Sequence, residues 1–212
     1  MHQDKKSVLA STIAVFIVMV LASFNPLEWS SYLLHQFGTL LFLGLMLGAY
    51  RYRQITSRSY GLAALFLIVH IVGARYLYSY VPYDDWMDQL FGLRLDELFG
   101  WQRNMYDRLV HFSYGLLLFN TMIDISKSVF KVHSVKLLII IALMINMSSS
   151  LLYELLEWSI AMTLSPEAAE AYNGQQGDIW DAHKDMALAL LGGLIAAGIM
   201  LFKTRQNQVV SN

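Results

Sequence analysis

No cysteine occurs anywhere in the 212 residues, which excludes disulfides, thiolate metal ligands and cysteine nucleophiles. Charge is scarce as well: Asp, Glu, Lys and Arg make up 15 % of the chain, against about 25 % in ordinary soluble domains. No basic low-complexity tail, nucleotide-binding glycine motif, HExxH metal motif or internal repeat is present. The formal net charge of -1 gives no reason to expect a nucleic-acid partner. What fills the chain is apolar: 56 % of residues are hydrophobic and the mean hydropathy is +0.44. The solvent this composition fits is lipid.

A bilayer core of ~30 Å needs about 20 largely apolar residues in a helix. Six segments qualify: 8–24, 29–50, 60–80, 109–123 (extended to 106 by Tyr106–Arg108), 135–164 (with 135–160 in the membrane) and 186–202. Backbone groups facing lipid must be satisfied internally, and these runs lack the alternation of a barrel strand. The expected fold is therefore all-α, a polytopic membrane bundle of six transmembrane helices in a single membrane domain spanning 1–212. The first span, behind MHQDKK, has the basic start and apolar run of a secretory signal. It lacks a small-x-small cleavage site in LASFNP and is expected to be retained.

The near-zero net charge conceals a strong segregation. One set of flanks holds Lys5, Lys6, Arg51, Arg53, Arg58, Lys127, Lys131, Lys136, Lys203 and Arg205, ten of the fifteen basic residues. The positive-inside rule then puts both termini in the cytoplasm of a bacterial inner (plasma) membrane protein. Fourteen of the sixteen acids lie at or beyond the other face, as do all five tryptophans, which suit an interfacial belt. The two longest connections, 81–104 and 165–184, are external on this reading. In the first, Trp86, Leu90, Leu93 and Leu98 predict an amphipathic helix on the membrane surface.

Ionisable residues inside spans are costly in lipid and become candidates for function. In RNMYDRLVHFSYG, Asp107 and His111 share a helix face, either as a dipole-favouring acid beside a satisfied histidine or as a carboxylate that orients an imidazole or shares a metal with it. In NMSSSLLYELLEWS, Asn146, Ser150, Glu154 and Glu157 trace a polar stripe, although Glu157 could sit in the headgroup layer. In QQGDIWDAHKDM, Asp178, Asp181 and Asp185 recur at offsets of three and four and continue into Ala189, Gly192 and Ala196, a seam of small residues. Helix capping accounts for one or two of these aspartates; Asp185, the deepest, is the hardest to explain that way. Arg75 either snorkels to the headgroups or anchors an anion. His70 and His35 read as packing histidines.

These segments resemble a known family. HIVGARYLYSYVPYDDW, RNMYDRLVHFSYG, YELLEW and QGDIWDAHKDM, together covering His70 to Gly192, are similar to the YjdF-type bacterial inner-membrane proteins. More distantly they resemble VanZ-like proteins, with Asp107, His111, Phe112, Glu154, Asp178 and Asp181 at the places of that pattern. Glu157 stands where those proteins commonly have glutamine, and Asp185 where they have asparagine. The resemblance implies a membrane location and a link to the cell envelope, and it names no reaction.

The expectation is thus an outward-facing site on the lipid bilayer, binding or acting on a lipid or cell-envelope component. Asp107, His111, Glu154, Asp181 and Asp185 form its reactive core; Arg75, Arg103, Glu157 and Asp178 bind substrate. An oxygen-rich donor set with one histidine suits a divalent metal such as Mg²⁺, Mn²⁺ or Ca²⁺ and admits Zn²⁺. Two alternatives stay open, a proton- or cation-coupled transporter and a non-catalytic membrane scaffold. The almost wholly apolar LLIIIALMI and LLGGLIAAGIMLF weigh against the first.

Overall fold

The computed structural model describes residues 2–210, excepting the side chains of 2, 3, 167, 168, 170, 171 and 207–210; Met1, Ser211 and Asn212 lie outside it. Nine helices and no strand occur among the described residues. They are α1 (His2–Ala22), α2 (Trp29–Arg51), α3 (Ser57–Arg75), α4 (Tyr83–Phe91), α5 (Leu95–Phe99), α6 (Tyr106–Ser128), α7 (Val135–Ala161), α8 (Pro166–Asn173) and α9 (Asp181–Val210). Six are long and apolar enough to cross a membrane: α1, α2, α3, α6, α7 and α9.

The most buried of these is α6. It packs against α3 on one side and against α7 and α9 on the other, while α3 also carries α1 and α2. The closest approach is between α6 and α9, and small residues permit it. A methyl group on Gly115 would run into the Ala189 carbonyl, and one on Gly192 into the Phe112 carbonyl. The small-residue seam expected on the sixth span is therefore the α9 side of this contact. One span separates α6 from α9, so the two run in the same direction and begin at the same level. Their first turns, rich in Arg and Asp, are brought together by the packing two turns further on.

Several boundaries differ from the sequence reading, and three of the differences bear on the acidic end. The third span ends at Arg75 rather than Tyr80, because Leu77 and Tyr78 take left-handed backbone angles, φ 52° and 56°. The chain turns back on itself there and aims Tyr78 into the bundle. The sixth helix begins at Asp181, five residues before the apolar run at Met186. The single amphipathic helix expected in 81–104 is two, α4 and α5, broken after Phe91 by Gly92 and closed by Gly100, with φ 64° and 67°. Glycine tolerates that conformation at each helix end. Leu90, Phe91, Leu98 and Phe99 remain exposed on these short helices, as a surface-lying segment requires.

Candidate functional site

The acidic end of the bundle is built in two layers. In the upper one the three aspartates of QQGDIWDAHKDM are matched by three cations. Arg108, in the first turn of α6, reaches Asp181 at 2.5 Å and Asp178 at 3.1 Å, and it also pairs with Asp185. Arg103 lies 2.9 Å from Asp181 and 3.4 Å from Asp178, and it donates to the carbonyls of Gly174 and Gln175. Lys184 adds a 2.6 Å contact to Asp178. That Lys184 bond, followed by the Trp180 amide, holds the Asp178 carboxyl below the usual carboxylate range. The loop carrying these groups is locked to the start of α6 by a reciprocal pair: Asn104 N–H donates to the Gln176 side-chain carbonyl, and Gln176 Nε2 donates to the Asn104 carbonyl.

The lower layer is different. His111 sits one turn below Asp107, with Nε2 3.6 Å from Asp107 Oδ1, while Nδ1 is 3.7 Å from Glu154 Oε1 on α7. Both separations are too long for direct hydrogen bonds. Asp107 Oδ2, Glu154 Oε1, Ser150 Oγ and Asn146 Oδ1 are buried without a partner, while Asn146 Nδ2 donates to the Ala189 carbonyl. The stripe Asn146–Ser150–Glu154 expected on the fifth span is thus a buried face turned toward α6 and α9. One potential ligand atom from each of Asp107, His111 and Asp185 lies within 4.8 Å of the other two.

Beside this layer runs a cavity of about 520 Å³ between α2 and α7. Asp107, His111 and Glu157 line its polar end. At its edges are Leu34, Phe37 and Leu41 of α2 and Leu156 of α7, all exposed on the lipid-facing surface. Tyr172 and Asn173 at the end of α8 also line it, and Tyr172 stacks on His35 with ring centres 4.7 Å apart. Tyr78 lies 2.8 Å from His70 Nδ1. Burial pushes the Tyr78 hydroxyl pKa well up, so it stays protonated, and which of the two atoms donates follows the histidine tautomer. Among the described residues no Arg or Lys lines the cavity.

The structure therefore brings together Asp107, His111 and Glu154, with Glu157 lining the same cavity and Asp181, Asp185, Asp178 and Arg103 in the layer above. Arg75 is elsewhere. Its Nη1 donates to the Leu21 carbonyl at 2.8 Å and its guanidinium lies 5.3 Å from the Tyr76 ring centre, tying α3 to the end of α1. Sequence reasoning passed over His35, Tyr78, Tyr153 and Tyr172 as cavity residues. A mid-span histidine is the one signal that marked His35; the tyrosines converge only through the turn after α3 and the fold of α8.

Residues 7–206 match the family described as Predicted membrane protein (DUF2238). The chain belongs to that family. It is also 29 % identical over 199 residues to Inner membrane protein YjdF of Escherichia coli (strain K12), an overlap of 92 % of this chain and 90 % of that one. No solved structure matches it. The DUF2238 match encloses both layers of the acidic end and every residue lining the cavity.

Proposed function

We propose that this DUF2238 chain draws an amphiphile, a lipid or a lipid-linked cell-envelope component, sideways from the bilayer into the cavity between α2 and α7. The observation that carries the reading is the cavity itself: one opening joins lipid-facing leucine and phenylalanine side chains to Asp107, His111 and Glu157. A tail loses nothing on leaving lipid for such a wall, and a head group gains polar partners that lipid cannot supply. The volume is in the range of small-molecule sites, roughly 300–1,000 Å³. His111, set between two carboxylates, is the group suited to moving a proton at a bound head group in hydrolysis or transfer. With both termini in the cytoplasm by the excess of Lys and Arg, this site faces the outer leaflet of an inner membrane. The apolar inner halves of α7 and α9 favour this reading over a transport path.

Gly38 supplies the test. It lines the cavity, and a Cβ there meets nothing within 4 Å. Gly38→Trp is expected to place an indole in the cavity, since its Cβ has room. Native mass spectrometry of the purified protein is expected to show an amphiphile retained beyond bulk lipid in the wild type and lost in Gly38→Trp, but kept in Leu201→Trp on the exposed inner half of α9. No enriched amphiphile, or one retained by Gly38→Trp, overturns the reading.

A further inference from the structure

We propose that Asp107, His111 and Asp185 hold a divalent transition-metal ion of the Zn²⁺ or Mn²⁺ type, with Glu154 orienting the histidine. The first support is charge balance. Asp178, Asp181 and Asp185 share Arg103, Arg108 and Lys184, whereas Asp107 and Glu154 have no Arg or Lys within ion-pair distance among the described residues. Both are more than nine-tenths buried at membrane depth and each retains a carboxylate oxygen with no hydrogen-bond partner. Unpaired carboxylates are costly there; a cation bound by Asp107 would remove that cost directly, and the charge it lends His111 would offset Glu154 behind the ring.

The second support is geometry. The 3.6 Å gap between His111 Nε2 and Asp107 Oδ1 is too wide for a hydrogen bond. Two ligands each about 2.1 Å from a metal and separated by that gap subtend about 118° at the ion, close to tetrahedral or trigonal coordination. Asp185 comes from α9, which delivers a third donor to the same spot. Opposite ligands at about 2.1 Å lie no more than ~4.2 Å apart. A pair at the full 4.8 Å therefore closes by at least about 0.6 Å on loading, and by about 1.4 Å to reach tetrahedral spacing. The other imidazole nitrogen faces Glu154 at 3.7 Å, where a closer approach on loading would let the carboxylate accept from it and fix the tautomer.

The donor set selects the metal class. Ca²⁺ takes six to eight oxygens and Mg²⁺ prefers oxygen and water, whereas an imidazole with carboxylates suits Zn²⁺ and Mn²⁺. The ion would sit at the polar end of the proposed lipid cavity, where it could polarise a phosphoryl or carbonyl oxygen of the head group. Its role in acting on an amphiphile rests on that proposal; its binding does not.

Two measurements on the full-length protein in mild detergent decide the matter. Elemental analysis is expected to find close to one equivalent of Zn²⁺ or Mn²⁺ per chain. The metal-stripped protein titrated with MnCl₂ is expected to show electron spin echo modulation from one imidazole nitrogen. Asp107→Asn and His111→Gln should each weaken Mn²⁺ binding by 10-fold or more, and His111→Gln should also remove the nitrogen modulation. Glu154→Gln, a positioning change, should weaken binding about 10-fold and leave the modulation in place. A wild-type Mn²⁺ spectrum without nitrogen modulation overturns the site even if no variant folds, as does unchanged affinity in a folded His111→Gln. Gly38→Trp is expected to keep the metal while losing the amphiphile, so failure of either proposal is visible without the other.

Discussion

Arg108 on α6 and Asp185 on α9 form an ion pair inside the bundle, with both side chains almost fully buried. The pair lies two turns from the glycine contact of the same helices, so packing and charge pairing depend on one register. Removing one partner of such a pair leaves an uncompensated buried charge, at a cost of about 3–5 kcal/mol. Arg108→Met is therefore expected to lower thermal stability sharply, and Arg108→Met with Asp185→Leu to recover part of the loss. Recovery stays partial because Asp181 and Asp178 then depend on Arg103 and Lys184 alone. Melting of the purified single and double variants in detergent reads the difference; equal stability of the two would contradict this account.

Two glycines on the same pair of helices should respond in opposite ways to an added methyl group. Gly115 faces the α9 backbone, whereas Gly198 has nothing within 4 Å of an added Cβ. Overpacking a tight contact costs about 1–3 kcal/mol, and alanine favours an unobstructed helix over glycine by up to about 1 kcal/mol. Gly115→Ala should lower the melting temperature, while Gly198→Ala should leave it unchanged or raise it.

Glu28 predicts an acid-sensitive helix start. It caps α2 by accepting from the Ser30 and Ser31 amides at 2.9 and 2.6 Å and from the Ser30 hydroxyl at 2.5 Å. The Ser30 hydroxyl bond and then the Ser31 amide lower its pKa from 4.5 to about 2. A folded-state pKa below the unfolded one stabilises the protein above pH 4.5, and that contribution disappears as the pH falls through about 2. Glu28→Ala should therefore be less stable than wild type at pH 7, with the gap narrowing once the pH drops below 4.5. A gap independent of pH would show that the cap does not act through its charge.

The segregation of basic residues predicts the placement of both termini. Fusions at the C-terminus and in the α2–α3 loop should be active with a cytoplasmic reporter such as a fluorescent protein and inactive with a phosphatase that needs export. Fusions in the loop between α5 and α6 should do the reverse. Phosphatase activity at the C-terminus would turn the acidic end toward the cytoplasm.

The spans were legible because lipid imposes a requirement on each segment separately: a run of about 20 apolar residues must satisfy its own backbone as a helix. Boundaries were less legible where a local turn overrides hydropathy, as at Leu77 and Tyr78, which are apolar enough to prolong a span but adopt left-handed angles. The helical offsets of Asp107 and His111, and of Asn146, Ser150 and Glu154, were equally readable, since shared faces follow from 3.6 residues per turn. Offsets could not say which acids have cations. Arg103 resembled a free anion anchor until its contacts to Asp178 and Asp181, more than 70 residues away, came into view.

From its sequence alone the protein is a six-span helical membrane chain with its acids at one end, because burial in lipid and the helical period act along the chain. Only the tertiary structure decided that three of those acids are neutralised and that Asp107 and Glu154 are left facing His111 beside a cavity open to lipid. That outcome depends on how closely α6 and α9 approach through Gly115 and Gly192, and on the face α7 turns toward them. Such relations join residues far apart in the chain, and no local pattern contains them.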